Sequence, residues 1–162
     1  MTKDSNLSTI IVWVQNNPGV LFKLSGLIRR RRFNIESLTV SHTEKPGISR
    51  FTILVRGNKK TVEKMSKQLY RIVEVVKIRE SYDKEIVARE LCLIKVDTSK
   101  KEDRSDIMET AKHFRVKVVQ IKPKYTIFEL TGNEDKIDAF YENMKKYRIM
   151  EFVRTGRTAV FK

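Results

Sequence analysis

The first half of the chain alternates between apolar spacings typical of strands and of helices. Residues 8–15 form a β-branched run of strand length, and apolar residues then recur every three or four positions, as on one face of a helix. Alternating stretches on either side of Pro46-Gly47 predict a hairpin, and a second helical pattern and a last strand complete the order β-α-β-β-α-β. The helix positions are Val20, Leu21, Leu24, Leu27, Ile28, Val62, Met65 and Leu69, and the further strands are 35–41, 51–55 and 72–78.

The second half repeats this order without obvious sequence identity to the first. Ser99 followed by Glu102 matches a capping box at the third helix, and Asn58 and Asn133 are candidate caps of the second and fourth helices. The predicted strands are 89–97, 116–121, 125–131 and 148–153, which residues 158–161 can extend, and the helix faces carry Ile107, Met108, Ala111, Phe114, Ile137, Phe140 and Met144.

Two βαββαβ units fit the length of the chain with little left over. The predicted fold class is α+β, with two ferredoxin-like βαββαβ domains over residues 1–80 and 81–162. Each domain has an antiparallel sheet with its helices on one face, and the seam falls in the polar stretch 81–88. A sheet covered on one face leaves its other face or an edge for a partner, so we expect the chain to oligomerise.

Composition excludes several classes of protein. The chain has 162 residues and 40% hydrophobic content, enough for a core, and contains no apolar run near the ~18 residues of a membrane span. The first apolar run is short and strand-like rather than a signal peptide, so we expect a soluble, cytoplasmic protein. Cys92 is alone, and His42 and His113 show no spacing typical of a zinc site or of the base for a catalytic thiol.

The formal charge of +14 raises nucleic acid as a partner. However, the cations are interleaved with 20 carboxylates along the whole chain, which also fits a high-temperature organism with surface ion networks. The densest run, Arg29, Arg30, Arg31 and Arg32, follows the first helix, where cations favour the negative end of the helix dipole. A solvated helix end is the first interpretation, docking to an acidic protein surface the second, and a phosphate-binding patch the third. Phe33 is the one aromatic residue nearby, which argues against binding of single-stranded RNA.

The turn Asn16-Asn17-Pro18-Gly19 allows two interpretations. The structural one is a strand-to-helix connection, because Asn caps helices, Pro begins them and Gly accepts unusual dihedral angles. The functional one uses the same geometry: a helix N-terminus offers N–H groups to a carboxylate, Gly19 allows a ligand to approach the backbone, and an Asn oxygen accepts from an ammonium group. These groups together match a free amino acid, and the residues alone leave both interpretations open.

Signatures of catalysis are missing from the sequence. It contains no P-loop, no G-x-G-x-x-G and no G-x-S-x-G, and the stretch 155–158 is interpreted as a charged turn. No carboxylates form a pair that the sequence separates from surface charge. We therefore expect neither a catalytic site nor a metal site in this chain.

The block from Asn16 to Ile53 resembles a known family. An Asn-containing loop ends in Gly19 and the apolar pair Val20-Leu21, a helix follows with Ser25-Gly26-Leu27, and then comes the run from Asn34 to Val40, Asn-Ile-Glu-Ser-Leu-Thr-Val. This block is similar to the N-terminal ACT domain of the regulatory (small) subunit of acetolactate synthase, also called acetohydroxyacid synthase. The similarity continues through residues 89–91 and 151–157, so it covers nearly the whole chain.

The resemblance implies a non-catalytic subunit of the branched-chain amino-acid pathway to valine, leucine and isoleucine. Such a subunit would bind the large catalytic subunit, raise its activity and confer feedback inhibition by a branched-chain amino acid, usually valine. Thiamine diphosphate, magnesium and FAD would belong to the large subunit, and this chain would bind no cofactor. Family members form homodimers whose ACT domains share the effector pockets. The alternatives are a stand-alone ACT-domain amino-acid sensor and a basic nucleic-acid-binding regulator.

The resemblance also assigns residues to the effector pocket. Asn16 and the backbone at Gly19 and Val20 would hold the polar ends of the effector, and Asn34 and Ile35 of the neighbouring protomer would close the pocket. The full predicted set is Asn16, Asn17, Pro18, Gly19, Val20, Leu21, Asn34 and Ile35, with Arg29, Arg30, Arg31 and Arg32 as candidate partner-docking residues.

One position departs from the family pattern. Many relatives have Gly before the aromatic residue that precedes Asn-Ile-Glu, whereas this chain has Arg32 before Phe33. A helix end often uses Gly for a left-handed residue, which Arg adopts less readily. The resemblance therefore leaves open how the chain leaves its first helix.

Overall fold

The computed structural model describes residues 7–81 and 85–162, which form nine strands and four helices. The first six elements are β1 (Leu7–Gln15), α1 (Val20–Arg30), β2 (Ile35–His42), β3 (Ile48–Arg56), α2 (Lys59–Leu69) and β4 (Val75–Ser81). The others are β5 (Ile86–Asp97), α3 (Lys101–His113), β6 (Lys117–Ile121), β7 (Tyr125–Gly132), α4 (Glu134–Met144), β8 (Ile149–Arg154) and β9 (Thr158–Phe161).

The first compact unit is a four-stranded antiparallel sheet with the strand order β2-β3-β1-β4. In β1 the alternate residues Ile10, Val12 and Val14 are buried in the core with apolar residues of α1 and α2. They pair with β3 in a register that sets Val12 opposite Phe51, which lies in the same core. Buried residues thus alternate along the strands and recur every three or four positions along the helices, as the sequence predicts. The predicted fold class is confirmed.

The second unit repeats the arrangement with the strand order β6-β7-β5-β8. Its core includes three aromatic side chains, and the rings of Phe114 and Phe140 have centroids 5.4 Å apart. The ring of Phe128 lies edge-on to that of Phe140, with centroids 6.4 Å apart. Such tilted and edge-on contacts favour a ring pair beyond its buried area, by about 0.5–1.5 kcal/mol.

The two units do not divide the chain at one point. The chain passes from the first unit to the second between Ala88 and Arg89, and Arg157–Lys162 belong again to the first unit. The predicted boundary falls between residues 80 and 81, and part of the predicted polar seam, 82–84, lies outside the described residues. The prediction that residues 158–161 extend the last strand of the second unit is wrong. They form β9, which pairs with β5, and the Lys162 N–H donates to the Glu85 carbonyl at 3.1 Å.

This returning segment covers part of the sheet face that lies opposite the helices in the first unit. Ala159 of β9 is buried against Ile11 of β1 and Ile86 of β5, and Phe161 and Trp13 pack at the edge of the cluster. This part of the second sheet face is therefore covered within the chain, and the expectation that the chain oligomerises through a free face or an edge stays a prediction. The apolar return residues replace a partner there, because Ile11 would otherwise be exposed on the open face.

Two of the predicted helix caps are confirmed and the predicted capping box is wrong. The Asn58 side chain accepts from the Thr61 N–H at 3.0 Å, and Asn133 accepts from the Lys136 N–H at 3.2 Å, so both asparagines cap their helices as predicted. The capping box at the third helix does not form: Ser99 instead donates its hydroxyl hydrogen to Asp97 at 2.6 Å, in a local turn that competes with capping.

The strand predicted over 72–78 begins later, at Val75. Ile72 is buried directly after α2, where its N–H donates to the Leu69 carbonyl at 3.1 Å. The Val75 N–H then donates back to the Ile72 carbonyl at 3.0 Å, which closes a turn. Ile72 matched the strand pattern because its side chain is apolar. In the structure this side chain fills the core from a turn that precedes β4.

Arg32 occupies the left-handed region, with φ 56°. The Phe33 N–H donates to the Ile28 carbonyl at 3.2 Å, a wide helix-ending hydrogen bond that this left-handed residue makes possible. Arg115 repeats the arrangement after α3 with the same φ of 56°, and the Val116 N–H donates to the Ala111 carbonyl at 2.9 Å. Arginine thus takes a left-handed position that helix ends often fill with glycine, and α1 and α3 end in the same way.

Candidate functional site

The turn between β1 and α1 is fixed by backbone hydrogen bonds. The Asn16 N–H donates to the Gly47 carbonyl at 2.8 Å, and the Asn17 N–H donates to the Gln15 carbonyl at 2.9 Å. Gly19 precedes the helix with φ 84°, in the left-handed region that glycine enters at little cost. Because Gly19 has no side chain, the first turn of α1 lacks the cap that Asn58 gives α2. The Val20 N–H already donates to the Asn17 carbonyl at 3.3 Å, and the positive end of the helix dipole favours an anion at this turn.

A cavity of about 150 Å³ opens beside this turn. Its apolar rim includes Leu21 and Val40, which are 48% and 46% exposed, whereas Ser49 and Phe51 form a buried wall. Amide side chains, a helix N-terminus and apolar walls together fit a small ligand that carries both charge and a short apolar group. The lining residues are Val14, Gln15, Asn16, Asn17, Gly19, Val20, Leu21, Val40, Ser49 and Phe51.

The chain brings together part of the predicted effector set. Asn16, Asn17, Gly19, Val20 and Leu21 line the cavity. Pro18 lies within the turn but is not one of the lining residues, and the predicted pair at residues 34–35 follows the opposite end of α1. At a rise of ~1.5 Å per residue, the 11 residues of α1 separate the two ends by roughly 16 Å. The assignment of the whole set to an effector pocket stays a prediction.

Asn34 and Ile35 are held in place within their own chain. The Asn34 side-chain amide donates to Glu36 at 2.9 Å, and the same Glu36 oxygen lies 3.1 Å from the Arg56 Nε. Ile35 begins β2 and packs against the core of the first unit. This segment is therefore an ordered surface at the start of an edge strand.

Five lining residues were missed by the sequence predictions: Val14 and Gln15 at the end of β1, and Val40, Ser49 and Phe51 on β2 and β3. Their signal lies in the topology, because a βαββαβ unit sets its third strand beside its first. Ser49 stands opposite Val14 in the register of β3 and β1, and Phe51 stands opposite Val40 on β2. The start of β3 consequently lies next to the end of β1, where the turn begins.

The arginine run extends from the end of α1 into the loop that follows. Arg29 and Arg30 occupy the last turn of the helix, and Arg31 and Arg32 come after it, all four exposed. Arg29, Arg30 and Arg31 line a second, larger cleft of about 1020 Å³ between α1 and the segment after α2, whereas Arg32 does not line it. The run is thus separate from the small cavity at the other end of the helix.

Comparison with known proteins gives a consistent result along the chain. Residues 10–77 match the family described as AHAS small subunit-like ACT domain, and residues 89–162 match the family described as small subunit of acetolactate synthase. The chain is 47% identical to the probable acetolactate synthase small subunit of Archaeoglobus fulgidus, with 94% of each chain covered. It is 40% identical to the acetolactate synthase small subunit of Bacillus subtilis, with 93% of this chain and 87% of that protein covered.

The chain belongs to the acetolactate synthase small-subunit family.

A crystal structure of the acetolactate synthase small subunit from Thermotoga maritima has the same architecture. It aligns with a TM-score of 0.89 at 37% sequence identity, and the alignment covers 96% of this chain and 97% of that one. The turn, the small cavity and the arginine run therefore belong to an ACT domain of a regulatory small subunit. A small subunit implies a large, catalytic subunit as its partner.

The described residues of this small subunit can also be searched for a metal site and for a membrane-spanning helix. Within residues 7–81 and 85–162, no group of three or more His, Cys, Asp and Glu side chains could hold a metal ion. No helix in the described part of the chain is long and apolar enough to cross a membrane.

Proposed function

We propose that this chain activates the large subunit of acetolactate synthase and confers feedback inhibition on it. In this proposal the effector is a branched-chain amino acid, with valine as the first candidate, and it binds in the ACT domain. The chain itself carries out no catalysis. Thiamine diphosphate, magnesium and FAD reside on the large subunit, which condenses two pyruvates to 2-acetolactate or joins pyruvate to 2-oxobutanoate.

The cavity beside Gly19 is the observation that carries this proposal. An amino-acid effector presents a carboxylate, an ammonium group and an apolar side chain. The uncapped first turn of α1 favours the carboxylate, and the amide oxygens of Asn16 and Asn17 suit the ammonium group. Leu21 and Val40 offer apolar contact to the side chain. The three groups of the ligand thus each have a counterpart of matching chemistry.

The size of the cavity supports a site shared by two protomers. Its volume of about 150 Å³ is below the ~300–1,000 Å³ common for enclosed ligand pockets, and its rim residues Leu21 and Val40 are exposed. A second protomer would cover the rim with its own Asn34 and Ile35, which a single chain places at the far end of α1. The homodimer would then complete the pocket and enclose the effector.

Feedback would operate as a population shift. An effector bound between two protomers changes the activity of the large subunit only if it binds more tightly to one arrangement of the dimer than to another. A tenfold change in the ratio of the two arrangements requires a difference in binding free energy of about 1.4 kcal/mol. A few contacts from Asn34 and Ile35 of the second protomer are enough for a difference of this size.

Calorimetric titration of the purified chain with valine tests the pocket. We expect Asn16→Ala and Gly19→Ala to weaken binding by about tenfold or more, because the first loses an acceptor and the second places a Cβ at the ligand-facing backbone. Asn143→Ala, on α4 in the second unit, is the matched control and should bind as the unchanged chain does. Equal binding by all four proteins would overturn the site.

The rival functions require a different result in reconstitution. Adding the chain to its large subunit should stimulate acetolactate formation, and valine should reverse the stimulation. A stand-alone sensor would bind valine without forming a complex with the large subunit. A nucleic-acid-binding regulator would bind DNA or RNA with a steep dependence on salt concentration.

A further inference from the structure

The larger cleft of the first unit lies on the helix side, away from the cavity beside Gly19. It runs between α1 and the connection from α2 to β4, and its volume is about 1020 Å³. The lining residues from α1 and its exit are Phe22, Lys23, Ser25, Gly26, Leu27, Arg29, Arg30 and Arg31, and those from the end of α2 and the connection are Gln68, Arg71, Ile72, Val73 and Glu74.

The cleft carries a strong excess of positive charge. Of its described lining residues, five are cations and Glu74 is the one carboxylate. Glu74 is already engaged, because it forms an ion pair with Lys23. No carboxylate among the lining residues therefore remains for Arg29, Arg30, Arg31 and Arg71. Four arginines that converge on one cleft repel one another, so an acidic occupant would relieve an unfavourable interaction as well as form new ion pairs.

Two large apolar side chains stand at the same cleft and are almost fully exposed. Phe22, on α1, is 80% exposed, and Val73, in the connection after α2, is 91% exposed, although both lie beside a well-packed core. A small anion would need the arginines but not these side chains. Protein interfaces, in contrast, combine arginine and aromatic residues around an apolar centre. The combination favours a protein surface over a phosphate or a carboxylate metabolite.

One wall of the cleft is held in place by a hydrogen-bonded turn and a buried side chain. Arg71 and Val73 lie in the connection after α2, where Ile72 is buried and closes a turn through the Val75 N–H, which donates to the Ile72 carbonyl at 3.0 Å. On the other side, Gly26 contributes no side chain, which leaves room between the two walls. A preformed cleft loses little conformational entropy when a partner binds, and this favours affinity.

We propose that this cleft docks the large subunit by receiving an acidic segment of its surface that presents an apolar side chain between Phe22 and Val73. Carboxylates of the segment pair with Arg29, Arg30, Arg31 and Arg71. The inference rests on the proposed function and specifies its partner surface. It also changes the composition of the candidate docking surface: Phe22, Arg71 and Val73 join it, and Arg32 leaves it.

The test is a titration of the large subunit with variants of the full chain, with acetolactate formation as the measurement. Two variants change the cleft: the double variant Arg30→Gln with Arg71→Glu, and Val73→Ser. We expect each to raise the concentration of small subunit needed for half-maximal activation by about tenfold or more. The dependence on salt should also be weaker for the double variant, since fewer ion pairs form. The control Lys64→Glu, on α2 outside the cleft, should stay within about twofold of the unchanged chain.

Valine binding of each variant, measured by calorimetry, separates docking from folding. Cleft variants that bind valine normally and still activate poorly support the docking site. If they activate as Lys64→Glu does, the docking site is overturned while the proposed function stands. If the unchanged chain neither binds nor activates the large subunit, the proposed function fails. Arginine-dependent binding of RNA without any change in activation would also overturn docking, in favour of nucleic acid.

Discussion

The guanidinium of Arg157 donates a hydrogen bond to the hydroxyl of Thr9, with 3.1 Å between the two atoms. Both residues are buried, at 6% and 0% exposure, and 148 positions of sequence separate them. The backbone N–H of Arg157 also donates to the Ser37 hydroxyl at 3.4 Å. This residue therefore fixes the point at which the chain re-enters the first unit. The charged side chain of Arg157 can be buried against the sheet because β1 and β2 supply polar partners there, Thr9 and Ser37.

We expect Arg157→Ala to lower the free energy of unfolding of the first unit by about 1–3 kcal/mol. The substitution leaves the buried Thr9 hydroxyl without this donor and loosens the start of β9. Denaturant unfolding of the full chain measures the change. Lys64→Ala is the control, because an exposed lysine of α2 should shift stability by no more than about 0.5 kcal/mol. Equal effects of the two substitutions would contradict the anchoring role.

Gly19, which directly precedes α1, and Gly26, inside α1, predict opposite effects of an added methyl group. At Gly26, inside α1, an added Cβ meets no atom within 4 Å, so Gly26→Ala should stabilise the chain by about 0.5–1 kcal/mol. At Gly19 an added Cβ also finds open space, but φ is 84°. Gly19→Ala should therefore destabilise by about 1–2 kcal/mol through backbone strain alone. Thermal unfolding of both variants should give shifts of opposite sign.

Cys92 should be unreactive until the second unit opens. It is fully buried in the core, and burial raises the pKa of its thiol above the ordinary value. The thiolate is the reactive form, so both access and ionisation are unfavourable in the folded chain. We expect labelling by a thiol reagent at pH 8 to be at least about 100-fold slower than in denaturant. Rapid labelling of the native chain would show that the β5 core opens readily.

Acid should weaken the second unit through Asp97. Hydrogen bonds from the Ser99 hydroxyl and then from the Ser99 N–H, at 2.6 and 2.9 Å, lower the pKa of this carboxyl. Because the folded-state pKa lies below the unfolded value of about 3.9, the stabilisation is complete above that pH and is lost as pH falls through the folded-state pKa. Asp97→Asn should therefore flatten the loss of stability below about pH 4. Ser99→Ala, which keeps the carboxylate, should give an intermediate slope in denaturant unfolding at several pH values.

Periodicity was sufficient for most elements of the fold. Burial of one face of a strand or helix leaves a pattern of apolar residues that are close together in the sequence. Such patterns are the alternation of Ile10, Val12 and Val14 and the helical spacing of Leu24, Leu27 and Ile28. Features that depend on distant residues were missed. The stretch 158–161 has a strand pattern, but its place beside β5 depends on a cluster with Ile11, which no local spacing encodes.

The candidate site was predictable only in part for a related reason. Asn16 and Gly19 could be found because a strand-to-helix turn has its own local chemistry. Val40, Ser49 and Phe51 line the same cavity through strand pairing, so their signal lies in the register of three strands rather than in any motif. Phe22 and Val73 look like ordinary apolar positions in the sequence, and their exposure follows from which face of each segment the core uses.

The return of residues 157–162 to the first unit also sets an order of assembly during translation. The six strands and helices that begin the chain are synthesised first, and the four-stranded sheet can pair as soon as β4 is made. Ala159, which packs on Ile11, and Arg157, which donates to Thr9, nevertheless follow the second unit in the sequence. These contacts can therefore form only after the whole second unit has been synthesised. The domain that starts to fold first is therefore the last to be completed, and a nascent chain halted within α4 would lack the part of the cover over Ile11 that Ala159 provides.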